Sequence, residues 1–473
     1  MYLNYVSAEV IKSIKFGTDG VRGIIDEDFN ELIVASVVEA SIRYFSKKRD
    51  IGKVIVGYDT RRKADHYAKI VVKICRDSGI EVSLTDRPTP TPVISWAVRY
   101  FKYDLAFQIT ASHNPPQYCG IKVIDWNGAS ISDEDAEGIM SILQRESEDI
   151  FSKVKVLEYS IPDLLINLRD PYVEYVVSIS EKPRRKLKIL FDPIYGTTIG
   201  FTDEILRRLG HEVHTIHDVY DQNFGGLLPC PEGENLKRLK DVTINGKYDL
   251  AISHDGDGDR IGVVTGSGKI LTGNEILLLF VYEYSKTGKI RSVARTVATT
   301  SLVDKICNEY GIKLVETPVG IKYIAKLLIK GEVDIGGEES GGVAFRWHIP
   351  EKDGIYTASL ISKIHSDVGI DNIIDEIYRK YGEPKFKRFK IEVKENPKIV
   401  FEKYRDRILE EIKNICMNIN TIDGIKCMLQ DYSWILIRPS GTEPVIRIYC
   451  EEYSQDSCSS VLEKIITIFQ NIG

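Results

Sequence analysis

The sequence predicts an α/β protein in which parallel βα units are followed by a smaller α+β domain. Several β-rich apolar runs end abruptly in Gly, Asp, Ser or Thr and are followed by segments with helical periodicity. Strand-and-loop units of similar design also recur along the chain. At 473 residues, the chain is long enough for about three domains of roughly 150 residues each, or more if one is small.

Two βα units illustrate the alternation. In the first, a strand over Val54–Gly57 precedes a helix over Ala64–Ser78 that ends at Gly79. In the second, a strand over Leu187–Phe191 precedes a helix over Ile199–Leu209 that ends at Gly210. A glycine just after the last helical residue is typical of a helix C-terminus, because glycine adopts the left-handed conformation readily.

Three strands lead into loops rich in Gly, Ser and Asp. Asp104–Ile109 leads into TASHNP, Asp249–Ser253 into HDGDGDR, and Val333–Ile335 into GGEESGG. Open α/β sheets bind their ligands at the carboxyl ends of the strands. We therefore expect these three loops to carry the function.

The C-terminal part of the chain has a different pattern, with alternating strands interspersed with helices. The predicted elements are strands over Phe389–Val393, Trp434–Arg438 and Val445–Tyr449, and helices over Glu402–Ile415 and Cys458–Phe469. We predict that the last helix packs on this sheet. The predicted domains are 1–150, 151–248, 249–368 and 369–473, with the loop at 255–260 near the boundary between the second and the third.

Composition and charge exclude several classes of protein. A 43% hydrophobic and 28% charged chain is typical of a folded globular protein. A net charge of -6 provides no general attraction for nucleic acid or anionic lipid. The longest apolar run, Ile276–Val281, is far shorter than the roughly 18 to 20 residues that a membrane span needs. The N-terminus does not resemble a secretory signal, so a cytoplasmic location is expected.

Three further patterns favour structural interpretations. The eight cysteines form no C-x-x-C pair, which predicts buried thiols and neither a zinc site nor a disulfide framework. The triplets Arg61-Arg62-Lys63 and Arg184-Arg185-Lys186 are expected to be solvated charges at helix edges. His211, His214 and His217 recur every third residue without an accompanying Cys or carboxylate loop, and a structural role is favoured.

The strongest chemical signal is the loop Asp255-Gly256-Asp257-Gly258-Asp259-Arg260, which places three carboxylates at alternate positions. So many like charges repel one another unless a cation neutralises them, and hard divalent cations prefer oxygen ligands. The loop therefore predicts a metal site, with a solvated acidic turn as the alternative. An EF-hand does not fit, because Arg260 and Gly266 occupy the positions that require Gly and Glu.

The other loops carry weaker signals. Ser112 and His113 lie side by side in TASHNP, an arrangement that helix caps and ordinary turns also show. GGEESGG offers hydrogen-bonding groups suited to sugar hydroxyls, although a tight turn explains it equally. RPSGTEP, residues 438–444, combines a guanidinium, two hydroxyls and backbone N–H groups that suit a phosphate. FGTDGVRG, residues 16–23, matches neither the dinucleotide-binding nor the P-loop motif.

Taken together, the loops FGTDGVRG, TASHNP, DGDGDR, GEESGG and RPSGTEP resemble those of the α-D-phosphohexomutase superfamily, which includes phosphoglucomutase and phosphomannomutase. The resemblance covers essentially the whole chain. It implies three similar α/β domains with mixed or parallel sheets and a smaller α+β domain around a central cleft. It also implies an enzyme, an isomerase that interconverts the 1- and 6-phosphates of a hexose through a phosphoserine and a bisphosphorylated sugar.

The resemblance assigns roles to individual residues. Ser112 matches the phosphorylated serine, and Asp255, Asp257 and Asp259 match the ligands of Mg²⁺, to which the phosphoserine also contributes. Lys122 matches the general base or acid, supported by His113 and Arg22. The substrate-binding residues are implied to be Glu338 and Ser340 for the sugar, and Arg438, Ser440, Gly441 and Thr442 for the distal phosphate.

The resemblance leaves the substrate open. Glucose and mannose phosphates are the main expectation, with glucose 1,6-bisphosphate as activator and intermediate and sugar phosphates as the only partners. The alternatives are a phosphoglucosamine mutase, then a phosphopentomutase, a catalytically silent sugar-phosphate binder, or a metal-dependent phosphatase. GEESGG has Gly342 where many bacterial phosphomannomutases and phosphoglucosamine mutases carry a histidine. The sequence does not determine the oligomeric state, and a homo-oligomer stays open.

Overall fold

The computed structural model of the protein describes residues 8–17, 20–154, 165–440, 444–454 and 458–470. The chain forms two compact units. Unit 1 consists of Met1–Gly273 and Ser340–Asp371, and unit 2 of Asn274–Glu339 and Asn372–Gly473. The α/β class with a smaller α+β part at the C-terminal end, predicted from the sequence, is confirmed.

Unit 1 begins with a mixed sheet whose described strands run in the order β1-β5-β4-β2-β3-β6. Strands β2, β3, β4 and β6 are parallel, whereas β1 and β5 are antiparallel to their neighbours. The strands are β1 Gly20–Ile24, β2 Lys53–Tyr58, β3 Glu81–Thr85, β4 Leu105–Ile109, β5 Tyr118–Asp125 and β6 Leu165–Ile166. The helices are α1 Ala8–Lys12, α2 Glu31–Phe45, α3 Ala64–Asp77, α4 Thr91–Phe101, α5 Asp133–Arg145 and α6 Ser147–Val154.

The predicted first βα unit is confirmed, since α3 begins at Ala64 and Gly79 follows it with a φ of 74°. The apolar side chains of α2 and α3 pack on the sheet in one continuous core, in which Val37, Val38, Val71 and Val72 are fully buried. This core holds the carboxyl ends of β2 and β4, and therefore the loops that follow them, at fixed positions.

A second sheet of unit 1 has the described order β10-β9-β7-β8, with β7, β8 and β9 parallel and β10 antiparallel to β9. Its elements are α7 Arg169–Ile179, β7 Lys188–Asp192, α8 Thr202–Arg208, β8 Glu212–Thr215, α9 Gly233–Asn245, β9 Leu250–His254 and β10 Ile261–Thr265. Helix α8 starts three residues later than predicted from Ile199, because residues before it form a turn in which Gly200 has a φ of 77°.

Unit 2 continues the chain with three parallel strands, in which β11 pairs with both β12 and β13. The elements are α10 Gly273–Lys286, β11 Ser292–Thr296, α11 Leu302–Tyr310, β12 Lys313–Thr317, α12 Ile321–Ile329 and β13 Ile335–Gly337. The chain then returns to unit 1 with β14 Val343–Phe345 and α13 Gly354–Asp367, before α14 Ile370–Tyr381. Helix α13 contacts α8, β9 and β10 of unit 1.

The C-terminal sheet of unit 2 is antiparallel, with the described order β15-β19-β18-β17-β16. Its elements are β15 Lys385–Glu392, α15 Pro397–Ile412, β16 Asn418–Asn420, β17 Ile425–Met428, β18 Trp434–Pro439, β19 Val445–Glu452 and α16 Ser459–Gln470. Val461 and Ile465 of α16 lie in the same core as Ile435 and Ile446, so the last helix packs on the sheet as predicted.

Ion pairs connect the two sheets within unit 2. The carboxylate of Glu316 on β12 accepts hydrogen bonds from Arg295 on β11 at 2.5 Å and from Lys426 on β17 at 2.6 Å. Burial opposes ionisation of Glu316, but these two cations lower its pKa to about 2. The carboxylate is therefore charged at neutral pH and links β17 of the C-terminal sheet to β11 and β12.

The prediction for the cysteines is wrong in one respect. Cys416 and Cys427 form a disulfide, with their Cα atoms 5.3 Å apart. Spacing in the sequence gave no sign of this pair, because it depends on the pairing of β16 with β17. The other six cysteines are free thiols, and all except the half-buried Cys230 are buried.

No helix in the described part of the chain combines the length and the apolar character that a bilayer span requires.

We expect the Cys416–Cys427 disulfide to stabilise unit 2, because it closes a loop between residues 11 positions apart. The double substitution of Cys416→Ser and Cys427→Ser should cost about 2 to 3 kcal/mol. Urea unfolding monitored by hydrogen–deuterium exchange of peptides from β17 and β18 measures this cost. Cys230→Ser in unit 1 is the control. Thiol titration of the unfolded chain should find six thiols before reduction and eight after it. Eight thiols before reduction would contradict the pairing.

Candidate functional site

The serine loop, residues 110–117, follows β4. Ser112 is buried and has a φ of 51°, in the left-handed region that a serine seldom adopts. Its backbone N–H donates to Oγ1 of Thr110 at 2.9 Å, and Thr110 donates to the carboxylate of Asp59 at 2.8 Å. These hydrogen bonds fix the backbone of Ser112 in its strained conformation, as is common at functional sites.

The side chain of Arg61 binds the backbone of this loop. Its guanidinium donates through Nη2 to the carbonyls of Ser112 at 2.6 Å and Asn114 at 2.7 Å, and through Nη1 to those of Pro115 at 2.8 Å and Tyr118 at 2.9 Å. Nε of Arg61 pairs with Asp59 at 2.9 Å, and neither side chain is exposed. The buried guanidinium thereby binds four backbone carbonyls, three in the serine loop and one at the start of β5.

The prediction of solvated charges was therefore wrong for Arg61. Its neighbours behave as expected, because Arg62 is 48% exposed and Lys63 is 32% exposed, and both pair with Asp26. The difference arises because Arg61 follows the buried end of β2, whereas the side chains of the next two residues reach solvent. In the second triplet, the side chains of Arg184, Arg185 and Lys186 are 50 to 77% exposed, as predicted.

The acidic loop between β9 and β10 lies against Ser112. Carboxylate oxygens of Asp255, Asp257 and Asp259 lie within 4.8 Å of one another, and all three residues are buried. Oγ of Ser112 donates to Oδ2 of Asp255 at 2.8 Å. The structure thus brings together the serine and the three aspartates that the sequence analysis selected, from loops more than 140 residues apart.

Cationic side chains surround the acidic loop. Nζ of Lys122, on β5, donates to Asp257 at 2.8 Å and to Asp259 at 3.2 Å. Lys352 lies 3.5 Å from the same carboxylate of Asp259, and Nε of Arg260 lies 4.0 Å from it. Antiparallel pairing of β4 with β5 sets Lys122 opposite Gln108 and near the serine loop. These ammonium and guanidinium groups offset part of the negative charge.

The pKa values of two of these aspartates are shifted in opposite directions. Burial, together with the charges of Asp259 and Asp257, raises the pKa of Asp255 well above its usual range. Burial also opposes ionisation of Asp259, but Lys352, Lys122 and Arg260 lower its pKa below the usual range.

The loop is suited to a divalent cation. Oδ1 of Asp257 and Oδ1 of Asp259 are buried and accept no hydrogen bond from the described residues. A buried oxygen without a partner is unfavourable, and a cation coordinated by these atoms would satisfy both. Three carboxylates and no sulfur or nitrogen ligand are typical of hard cations such as Mg²⁺.

His113 and Arg22 flank the serine. Nδ1 of His113 lies 3.4 Å from Oγ of Ser112. Burial and the nearby charges of Arg260 and Arg22 lower the pKa of His113 to about 2, so the imidazole is neutral at physiological pH. Arg22 donates to the side chain of Asn114 at 3.0 Å. Both predicted supporting residues therefore adjoin the serine loop.

The remaining predicted residues lie in the other loops. Glu338, directly after β13 in unit 2, is buried, and Ser340, where the chain re-enters unit 1, is half-buried. Arg438, at the end of β18, donates from Nη2 to Asp423 at 3.0 Å, and its buried Nε has no hydrogen-bond partner among the described residues. Ser440 is buried beside it. Gly441 and Thr442 lie outside the described residues.

Sequence reasoning missed Lys352. Asp353 accepts the backbone N–H of Tyr356 at 2.9 Å and caps α13, and Gly354 N–H donates to Gly258 in the acidic loop at 3.1 Å. The cap could have been recognised from the sequence, but its position beside the acidic loop could not.

Gly342 lies against the side chain of Lys352. A Cβ on Gly342 would approach that side chain to 2.2 Å, so a residue larger than glycine at this position would displace Lys352.

Comparisons with known proteins match the whole chain. The four successive domain families of phosphoglucomutase/phosphomannomutase are found in order: α/β/α domain I at residues 13–149, α/β/α domain II at 170–268, α/β/α domain III at 272–381 and the C-terminal domain at 387–468.

Individual relatives match over nearly their full length. The phosphoglucosamine/phosphogalactosamine mutase of Sulfurisphaera tokodaii is 30% identical, over 96% of this chain and 99% of its own. The phosphoglucomutase/phosphomannomutase of Thermococcus kodakarensis is 31% identical, over 96% of this chain and 98% of its own. The crystal structure of a phosphoglucomutase/phosphomannomutase family protein from Burkholderia thailandensis has the same fold, with a TM-score of 0.81, 21% identity and coverage of 99% and 98%.

Several further archaeal and clostridial relatives also bear the name phosphoglucosamine mutase. The comparisons therefore favour the amino-sugar alternative over the glucose and mannose substrates that the sequence analysis preferred.

The buried Arg61–Asp59 pair generates a prediction for stability. Arg61→Ala removes the guanidinium from the buried carboxylate of Asp59 and from four backbone carbonyls, which should cost about 3 to 5 kcal/mol. Arg62→Ala removes only a surface ion pair and should cost about 1 kcal/mol or less. Urea unfolding monitored by hydrogen–deuterium exchange of peptides from β4 and β5 compares the two variants. Equal costs would show that Arg61 does not support the loop.

The acidic loop predicts stabilisation by Mg²⁺. A cation that binds only the folded chain should raise the free energy of unfolding of unit 1, by about 2.7 kcal/mol at a hundredfold excess over Kd. Asp257→Asn should abolish most of this gain, whereas Asp241→Asn, on the exposed face of α9, should keep it. The measurement is the unfolding midpoint with Mg²⁺ and with EDTA. The same Mg²⁺ effect in both variants would contradict the site.

Proposed function

Because the chain belongs to the phosphoglucomutase/phosphomannomutase family, we propose that it interconverts the 1- and 6-phosphates of a hexosamine, with Ser112 as the phosphoryl carrier. The observation that carries the catalytic part of the proposal is the contact of Ser112 Oγ with Asp255 at 2.8 Å, inside a ring of cations. The observation that carries the sugar is the resemblance, over 96% of the chain, to an enzyme named for amino-sugar phosphates.

The reaction is an isomerisation in which the sugar first receives a phosphoryl group at its free position and then loses the one at its other position. Phosphorylated Ser112 gives its phosphoryl group to the free hydroxyl of a hexosamine monophosphate, forming a bisphosphorylated sugar. The sugar turns round, and Ser112 Oγ takes the phosphoryl group from the other position. Each turnover restores the phosphoserine, so no phosphate is released. Glucose 1,6-bisphosphate can phosphorylate Ser112 by the same step.

Charge stabilisation is the main requirement of phosphoryl transfer. Asp255, Asp257 and Asp259 would hold Mg²⁺, which neutralises charge on the phosphoryl oxygens when bound. Lys352, Arg260 and Arg22 add positive charge around the serine loop. Neutral His113, 3.4 Å from Ser112 Oγ, is suited to hydrogen bonding without adding a charge.

A proton must leave the attacking sugar hydroxyl and return to the leaving one. We assign this exchange to Lys122, whose Nζ lies within 3.2 Å of two aspartates beside the serine. Lys122 is buried, with 2% exposure, and its position beside the serine loop supports this role.

The loops around Glu338 and Arg438 supply substrate recognition. A hexosamine carries a positively charged amino group, and the carboxylates of Glu338 and Glu339 suit it. Ser340 would bind a sugar hydroxyl. The distal phosphate would be held by Arg438, Ser440, Gly441 and Thr442. Guanidinium, hydroxyl and backbone N–H groups recognise a phosphate independently of the carbon that bears it, so one pocket serves both orientations.

Hexose phosphates without the amino group are the second candidate substrate. The relative from Thermococcus kodakarensis, named for glucose and mannose phosphates, is 31% identical over 96% of this chain. The two relatives differ by one percentage point in their identity to this chain. Activity with both amino-sugar phosphates and hexose phosphates is therefore consistent with the family.

A substrate panel tests the proposal. With Mg²⁺ and a trace of the bisphosphate, glucosamine 1-phosphate should have a kcat/KM at least about tenfold above glucose, mannose and ribose 1-phosphates, the discrimination expected from one charged contact. Ser112→Ala should abolish turnover and leave sugar-phosphate binding measurable, with Ser141→Ala on α5 as the matched control. Persistent turnover in Ser112→Ala would refute the carrier. A preference for glucose or mannose would refute the hexosamine, and net phosphate release would indicate a phosphatase.

A further inference from the structure

The carboxyl ends of β7 and β8, two parallel neighbours in the sheet order β10-β9-β7-β8, lie at a part of the second sheet that the proposed reaction does not use. Open α/β sheets usually bind their ligands at the carboxyl ends of the strands.

A cavity of about 410 Å³ occupies this position. Asp192 is the last residue of β7, and His217 follows β8 by two residues; both line the cavity. Its apolar wall is formed by Ile216, Leu227, Leu239 and Val242. A volume of about 300 to 1,000 Å³, an apolar wall and a few polar groups are typical of small-molecule sites.

Three polar groups of the lining have no hydrogen-bond or ion-pair partner among the described residues. The hydroxyl of Tyr195, Nε2 of His217 and the guanidinium of Arg238 make no hydrogen bond or ion pair with the described residues. Asp192 is already engaged, since its Oδ1 accepts from His217 Nδ1 at 3.0 Å and from the N–H of Ile194 at 2.8 Å. The unused groups of the cavity are therefore mostly donors or cations.

Strained residues lie in the cavity wall and next to it. Tyr195 (φ 55°) and His217 (φ 52°) line the cavity with left-handed backbone, and Ile194 (φ 47°) and Phe224 (φ 51°) adopt it beside the lining. A β-branched isoleucine at positive φ is a rare outlier, and such residues cluster at ligand sites. The rings of Tyr195 and His217 are stacked, with their centroids 4.6 Å apart.

The cavity is distinct from the proposed catalytic centre. Its lining includes Gly225 but neither Ser112 nor the three aspartates. Phe224, next to Gly225, is fully buried and places its ring 5.0 Å from the guanidinium of Arg61. The lining shares no residue with the serine loop or with the acidic loop.

We propose that this cavity is a second binding site, for a small organic anion whose apolar body contacts Leu227, Leu239 and Val242 and whose carboxylate or phosphate binds Arg238, His217 and Tyr195. The hydrogen bond to Asp192 raises the pKa of His217, which favours the cationic form of the ring and agrees with an anionic ligand. This site is independent of the reaction at Ser112 and of the identity of the sugar.

Calorimetric titration of the whole protein with benzoate and with phenyl phosphate tests the site, with phenol as the neutral control. Arg238→Ala should weaken binding of the anion by about tenfold or more, as expected for a lost charge-assisted hydrogen bond. Lys237→Ala removes the same charge from the neighbouring position of α9, outside the lining, and should change the affinity by less than about twofold. His217→Gln should weaken binding as Arg238→Ala does.

Only binding that Arg238→Ala removes is attributed to the cavity, because phenyl phosphate can also occupy a catalytic centre. Tighter binding of benzoate would indicate a carboxylate ligand, and tighter binding of phenyl phosphate an organic phosphate; either result supports the site. The proposal is overturned if neither anion binds saturably, if Arg238→Ala and Lys237→Ala have equal effects, or if phenol binds as tightly as the anions.

Discussion

Three carboxylates in one buried loop are the constraint on which the candidate site depends. Asp255, Asp257 and Asp259 lie within 4.8 Å of one another, and like charges so close in a low-dielectric environment repel strongly. Lys122, Lys352 and Arg260 offset part of this charge, and each comes from a different loop or strand of unit 1. The need to neutralise the acidic loop thus explains why distant segments converge on it.

A second buried ion pair fixes the geometry of the serine loop. Asp59 and Arg61, at the end of β2, organise the turn after the neighbouring strand β4 through hydrogen bonds to its carbonyls and to Thr110. The backbone of Ser112 is consequently held by hydrogen bonds on both sides, and its Oγ is directed at the acidic loop. Preorganised polar groups of this kind reduce the reorganisation that a charged transition state would otherwise require.

The sequence was sufficient for the local chemistry and insufficient for partners that are distant in the chain. Strand ends, glycine helix ends and the DGDGDR loop have local patterns, and their places in the fold agree with those patterns. Arg61 looked like one of three surface charges, because its burial depends on Asp59 and on the loop after β4. Lys352 gave no signal, because its proximity to Asp259 depends on the return of residues 340–371 to unit 1. The Cys416–Cys427 disulfide was missed because it depends on strand pairing.

By itself, the sequence determined the α/β class, the order of the functional loops and the type of chemistry they can perform, because side-chain chemistry and backbone periodicity are local properties. The tertiary structure decided which charges are buried, which cations neutralise the aspartates and which cysteines pair. It also decided that the end of β7 and the loop after β8 enclose a cavity whose lining carries donors that the described part of the chain does not pair. These features depend on distances between residues remote in sequence, and packing of the strands and helices sets those distances.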